Sequence, residues 1–73
     1  MAVFNIPDIY GRFYLVNFDN VRIVSVSDDE ECGDLLFEFN GSARMAISVG
    51  LDREGATEAY RNICRFIGAK QIS

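Results

Sequence analysis

The acidic stretch "DDEECGD", residues 28–34, is the part of the sequence richest in side chains that can do chemistry. It holds five carboxylates and one thiol in seven positions, and the nearest basic residues along the chain are Arg22 and Arg44. Three uses fit such a composition. They are a metal site, a surface that imitates the phosphates of a nucleic acid, and the solvated end of a β-hairpin.

A metal site fits this stretch poorly. A calcium loop of the EF-hand type has glycine at its sixth position and glutamate at its twelfth. Counted from Asp28, Gly33 is sixth but Phe39 is twelfth. Zinc is bound mainly by Cys and His, and the chain has no His. We therefore expect no metal and no cofactor, and we favour the solvated hairpin end.

Contact with a basic partner protein is the alternative use of the acidic side chains. The candidate partner-binding carboxylates are Asp28, Asp29, Glu30, Glu31 and Asp34. A phosphate mimic would align the first four of these carboxylates, together with Glu38 or Asp34, along one ridge. Arg61 and Arg65, one turn apart in a predicted helix, are a second candidate contact, for a phosphate or a carboxylate. Glu54 and Glu58 lie close to both arginines. The two arginines therefore also fit an ordinary solvated helix surface.

Catalysis has little support in the sequence. Without His the chain lacks the usual general base near neutral pH. Cys64 falls beside the apolar stripe of the predicted helix, where it suits a small buried side chain. Cys32 is surrounded by carboxylates, which oppose formation of the reactive thiolate. We therefore predict that the protein is not an enzyme.

The size and charge of the chain limit its partners. Its 73 residues give a small core, which rarely supplies more than about 3–5 kcal/mol. The net charge of −4 disfavours direct binding to nucleic acid. No signal-peptide pattern accompanies the two cysteines, and no apolar run approaches the roughly 20 residues that span a bilayer. We therefore expect free thiols, a cytoplasmic location, no membrane contact and stabilisation by a homodimer.

The pattern of residues predicts a single domain over residues 1–73. Residues 1–11 form an N-terminal arm with a short strand at Val3 to Ile6, residues 12–50 an antiparallel sheet and residues 52–68 a helix. "RFYLVNF" and "VRIVSVS" are β-rich and predict two strands joined by a tight turn at Asp19 and Asn20. Within the acidic stretch, Gly33 is available to supply a positive φ angle.

The segment "DLLFEFNGSARMAISVG" predicts a second hairpin, whose register depends on its loop. A two-residue loop would set apolar side chains opposite polar ones, because a shift of one residue in the strand register moves every side chain to the other face. A three-residue loop of Asn40, Gly41 and Ser42 sets Phe37 opposite Met45 and Leu35 opposite Ile47. We therefore predict the three-residue loop.

The helix has recognisable ends. Asp52 suits the N-cap, where its carboxylate accepts from the first free amides, and Gly68 suits the C-terminal stop. Leu51 is placed to contact Ala56 in a hydrophobic staple. Apolar residues then recur at helical spacing, at Ala56, Ala59, Tyr60, Ile63 and Ile67.

These elements predict an α+β fold: a four-stranded antiparallel β-meander with one C-terminal helix packed on one face, in the order β-β-β-β-α. The strands carry apolar residues on both sides, whereas one helix covers only one face. The second face of the sheet must therefore be covered by the N-terminal arm, by a second copy of the protein or by another partner. The candidate dimer face consists of Tyr14, Val16, Phe18 and Leu36.

The segments "FYLVNFDNVRIVSVS" and "DLLFEFNGSARMAISV" with the helix after them resemble small bacterial and phage proteins that share an "NLDNV" turn, an "FNG" hairpin and a C-terminal helix. The likeness covers about residues 13–67, with Phe18 where those proteins have leucine. It implies a fold and a mobile-element origin, and it transfers no site residue.

Two functional hypotheses follow. The first is a non-enzymatic protein-interaction module that self-associates through its second sheet face. The alternative is a small acidic phage or mobile-element inhibitor, similar to anti-CRISPR proteins, that acts in the host cytoplasm on a basic surface of a defence complex.

Overall fold

The computed structural model describes residues 2–72 and has an α+β fold with antiparallel sheets. In chain order its elements are β1 (Val3–Pro7), β2 (Phe13–Asn17), β3 (Val21–Val26), β4 (Gly33–Phe39), β5 (Arg44–Gly50) and α1 (Arg53–Ile67). The predicted four-stranded meander is wrong in its strand pairing. β1 and β2 form a two-stranded ribbon, and β3, β4 and β5 form a separate three-stranded meander.

The division into two sheets arises at the segment predicted to be a tight turn. Phe18–Asn20 forms a short 3₁₀ turn, which Asn17 caps by accepting a hydrogen bond from the Asp19 amide at 3.0 Å. This turn carries the chain from the ribbon to the meander. Because β2 no longer faces β3, it pairs with the N-terminal arm, for example Phe4 with Val16. The strand predicted within the arm is confirmed.

The second hairpin has the predicted three-residue loop. Leu35 lies opposite Ile47 and Phe37 opposite Met45, and the Phe39 amide donates to the Ala43 carbonyl at 2.8 Å. This register places the larger apolar side chains of both strands on the same face of the meander.

Gly33 has a different role from the predicted one. Positive φ angles of glycine occur elsewhere, as at Gly11 and Gly41. Gly33 is buried where β4 passes close to the end of β5, and a Cβ atom added there would lie 2.0 Å from the Gly50 carbonyl oxygen. Glycine is therefore required at position 33 because the backbone of Gly50 leaves no room for a side chain.

Both predicted helix ends are confirmed. The Asp52 carboxylate accepts from the Gly55 amide at 3.0 Å, and Gly68 ends the helix at a φ angle of 70°. The predicted staple is wrong, because Leu51 is 85% exposed. Ala56 is buried without it.

The core lies between the meander and two covering layers. Leu35, Phe37 and Ile47 are buried on its inner face, where Ile6 and Val16 of the ribbon join them in one cluster. Ala59 and Ile63 of α1 pack against the same cluster. The ribbon and the helix therefore share the inner face. Within residues 2–72, no helix is long and apolar enough to cross a membrane.

Candidate interaction surfaces

The acidic segment forms the loop between β3 and β4. Its first four carboxylate residues are exposed, and none of them forms an ion pair within the described part of the chain. The backbone shapes the loop: the Cys32 amide donates to the Asp29 carbonyl at 3.0 Å, and the Arg53 amide donates to the Glu30 carbonyl at 3.0 Å. The second bond fixes the loop beside the N-terminus of α1.

Asp34 does not belong to the exposed acidic patch. It lies half-buried in β4 and accepts a hydrogen bond from the Ser48 hydroxyl at 2.7 Å. The interaction of Asp34 with Cys32, together with the thiol's burial and other nearby carboxylates, raises the pKa of Cys32 despite a bond to Ser27. The direction of this shift is the one predicted from the neighbouring carboxylates, and it lowers the fraction of thiolate. Across residues 2–72, no three His, Cys, Asp or Glu side chains converge as ligands of one metal ion.

Glu38 lies on the outer face of the meander, between two arginines. Its carboxylate is 3.6 Å from Arg22 and 3.3 Å from Arg44. Glu38 is thus paired, and Asp34 is bonded to Ser48. Neither residue extends the exposed carboxylates into the ridge that a phosphate mimic needs.

The four residues of the predicted dimer face do not form one surface. Val16 is only 3% exposed and belongs to the core. Phe18 packs edge-on against Phe4 with ring centroids 4.9 Å apart, and the half-buried Tyr14 hydroxyl donates to Asp8 at 3.2 Å. Leu36 lies on the outer face of the meander, since it alternates with buried residues of β4.

The outer face of the β1–β2 ribbon is an exposed apolar surface, and it differs from the predicted dimer face. Leu15 is 78% exposed, Phe13 69% and Val3 45%. The cross-strand partners on this face are Asn17 for Val3, Asn5 for Leu15 and Pro7 for Phe13. All six residues are uncharged. Phe13 and Leu15 alternate along β2 with Tyr14 and Val16, which face inward. The wrong sheet assignment led to the choice of this inward set for the dimer face.

Asp8 anchors a cluster that sequence reasoning missed. Its side chain is 1% exposed and accepts from the amides of Tyr10 and Arg12 at 2.9 and 2.8 Å, from the Arg12 Nε at 2.8 Å and from Tyr14. Burial by itself raises the pKa of Asp8, but the hydrogen bonds and the charge of Arg12 outweigh it and lower the pKa below its ordinary value. The signal in the sequence was an aspartate at the start of a glycine-containing turn.

Arg61 and Arg65 lie on the exposed side of α1 with Glu58. Arg61 is 3.6 Å and Arg65 3.9 Å from the Glu58 carboxylate. Both arginines line a surface groove with Lys70 and Tyr60. This groove therefore holds three of the seven basic residues of the chain.

Comparison with known proteins gives no family model, no curated protein and no solved structure that significantly matches the chain. The resemblance to small bacterial and phage proteins stays a prediction.

Proposed function

We propose that the protein is a non-enzymatic interaction module that self-associates through the outer face of the β1–β2 ribbon. The observation that carries this proposal is the exposure of Val3, Phe13 and Leu15 together on that face. The opposite face of the ribbon, with Ile6 and Val16, is already in the core. Exposed apolar patches of this kind are typical of protein-binding surfaces.

A second copy is a suitable occupant because the face is uncharged. The net charge of −4 comes from side chains elsewhere on the molecule. Two copies can therefore bring their ribbons together without opposing like charges at the contact. A two-fold interface requires a patch that complements itself, and an apolar, amide-rimmed face meets that requirement.

The contact area sets the expected strength. Fully burying a large apolar side chain contributes roughly 1.5–3 kcal/mol, whereas association costs an estimated 4–15 kcal/mol in lost freedom. Three such side chains per copy, of which Val3 is already about half covered, give a gain of the same order as this cost, so the contact is expected to be weak. We expect a dimer that dissociates at micromolar concentrations, and its formation also stabilises the small fold.

Sedimentation velocity over a dilution series tests the proposal. In about 0.5 M sodium chloride, where charge interactions between exposed groups are screened, Leu15→Gln should shift the protein to monomer while leaving its far-UV circular dichroism unchanged. Leu51→Gln is the matched control, because Leu51 is similarly exposed but lies between β5 and α1. A parent protein that stays monomeric throughout, or a Leu15→Gln variant that associates like the parent, would contradict it.

A second candidate function is the small acidic phage or mobile-element inhibitor of a host defence complex. The observation that favours it is the exposure of Asp28, Asp29, Glu30 and Glu31, none of which forms an ion pair with another of residues 2–72. The engagement of Asp34 and Glu38 elsewhere counts against mimicry of a regular phosphate ridge. Salt-sensitive binding to a purified CRISPR complex, lost when the loop carboxylates are neutralised, would support this function. Binding that survives neutralisation would not.

A further inference from the structure

The charges on the exposed side of α1 follow an ordered pattern. Glu54, Glu58, Arg61 and Arg65 are all exposed and follow one another at helical spacing along one stripe. The acidic pair occupies the N-terminal part of the helix and the basic pair the C-terminal part. At about 1.5 Å of rise per residue the stripe is roughly 16 Å long. It is therefore a surface with a negative end and a positive end.

Such a stripe is complementary to itself when two helices lie antiparallel. With a two-fold axis passing between Glu58 and Arg61, Glu58 of one copy lies opposite Arg61 of the partner subunit. Glu54 then lies opposite Arg65 of the partner subunit. The acidic pair and the basic pair have the same four-residue spacing, so both contacts form in the same register. Antiparallel helix macrodipoles favour the same arrangement.

The surroundings of the helix extend this complementarity at both ends. The acidic loop is fixed at the N-terminal end by the hydrogen bond from the Arg53 amide to the Glu30 carbonyl. Lys70 lines the groove at the C-terminal end. In the antiparallel arrangement the loop of each copy faces the basic end of the other.

The ion pairs within one chain leave the arginines able to re-pair. Glu58 is shared between Arg61 and Arg65 at 3.6 and 3.9 Å, and all three side chains are mostly exposed. Exposed pairs of this kind contribute little to stability. Exchanging them for pairs across an interface therefore costs little.

We propose that α1 is a second self-association surface, on which two copies pair antiparallel through the stripe of Glu54, Glu58, Arg61 and Arg65. This contact is independent of the ribbon face, and its failure would leave the ribbon proposal intact. The expected assembly of the parent protein is thus larger than a dimer at low salt.

Charge exchange tests the pairing in a Leu15→Gln background, which disables the ribbon contact. One variant carries Glu54→Arg and Glu58→Arg, and the other carries Arg61→Glu and Arg65→Glu. Each variant alone has a stripe whose four charges have the same sign, so it should stay monomeric. An equimolar mixture should form a one-to-one complex, at least about tenfold tighter than either variant's self-association, because opposite charges then face each other.

The control separates specific pairing from general attraction between oppositely charged proteins. Arg22→Glu with Arg44→Glu makes the same change in net charge on the outer face of the meander. Mixed with the basic variant, it should form no complex. A charge-exchange mixture that stays monomeric would overturn the proposal, and so would equal binding by this control.

A salt series with the Leu15→Gln protein decides the matter if the charge variants fail to fold. Screening shortens the range of charge interactions to about 3 Å at 1 M salt. Raising sodium chloride from about 0.02 M to about 0.5 M should therefore dissociate the helix contact. Association that is unchanged or strengthened by salt, or absent at low salt, would contradict antiparallel pairing through the stripe.

Discussion

At the scale of single residues, Asp8 shows how one carboxylate fixes a loop. It accepts three hydrogen bonds from Tyr10 and Arg12 in the segment that joins β1 to β2 and a fourth from the Tyr14 hydroxyl of β2. Its own amide donates to the Arg12 carbonyl at 2.8 Å, and Gly11 supplies a φ angle of +83°. The loop in turn fixes the ribbon at the meander, because the Ile9 amide donates to the Ser48 carbonyl of β5.

We predict that Asp8→Asn lowers the melting temperature by several degrees near neutral pH. The variant loses the ion pair with Arg12 and one of the acceptors that satisfy the loop. Because the folded-state pKa of Asp8 is lowered, its contribution is present above the ordinary pKa of an aspartate, 3.8, and is lost as pH falls through the lowered value. The difference between parent and variant should therefore shrink in acid.

Thermal denaturation from about pH 7 to about pH 2 checks this prediction. Asp28→Asn is the control, because Asp28 is exposed and its neutralisation should leave the melting temperature near that of the parent. A constant difference between parent and Asp8→Asn across the whole range would show that the charge of Asp8 is not the cause.

At the scale of an element, the β3–β4 loop is held by its backbone more than by its carboxylates. Amide-to-carbonyl bonds join Ser27 to Asp34, Cys32 to Asp29 and Arg53 to Glu30. Among residues 2–72, the one hydrogen bond accepted by the side chains of the exposed carboxylates runs from the Glu31 amide to Asp29 Oδ1 at 2.9 Å. The loop can therefore keep its shape when its charges are removed.

We predict that changing Asp29, Glu30 and Glu31 together to Ser, Gln and Gln changes the free energy of unfolding by no more than about 0.5 kcal/mol in either direction. Serine retains an oxygen that can accept from the Glu31 amide, and like-charge repulsion is relieved. Urea denaturation measures the change. Calcium or zinc should leave the parent's melting temperature where it was, and a rise of several degrees with millimolar calcium would indicate a metal site instead.

At the scale of the whole molecule, the N-terminal strand is an integral part of the fold. Ile6 is buried in the core, and Phe4 packs against it together with Phe18. Removing β1 would leave β2 without its partner and would expose Val16, Leu35 and Phe37 to solvent. The ribbon thus covers part of the core that the helix alone does not reach.

We predict that deletion of residues 1–10 abolishes cooperative thermal unfolding. The loss of buried area is large relative to the few kcal/mol that a core of this size supplies. Deletion of residues 70–73 is the control, since Lys70, Gln71 and Ile72 are exposed. A sharp transition in the N-terminal deletion, at a temperature near that of the parent, would refute the role given to β1.

The sequence by itself determined the features that depend on neighbouring residues. The three-residue loop at Asn40, Gly41 and Ser42 and the helix ends at Asp52 and Gly68 were correctly predicted. Each rests on hydrogen bonds or backbone angles within a few positions. Of the candidate site, the exposure of Asp28, Asp29, Glu30 and Glu31 was predicted in the same way, because a run of like charges is costly to bury.

Only the tertiary structure decided which strands pair and which apolar face is left outside. Strand pairing joins residues distant in sequence, and β2 has apolar side chains on both faces, so its pattern fits either sheet. The 3₁₀ turn at Phe18–Asn20 settled the choice by directing β2 toward β1. That choice buried Val16, left Phe13 and Leu15 exposed and separated Leu36 from both. The close approach of Gly33 to Gly50 depends on the same packing and has no local signal.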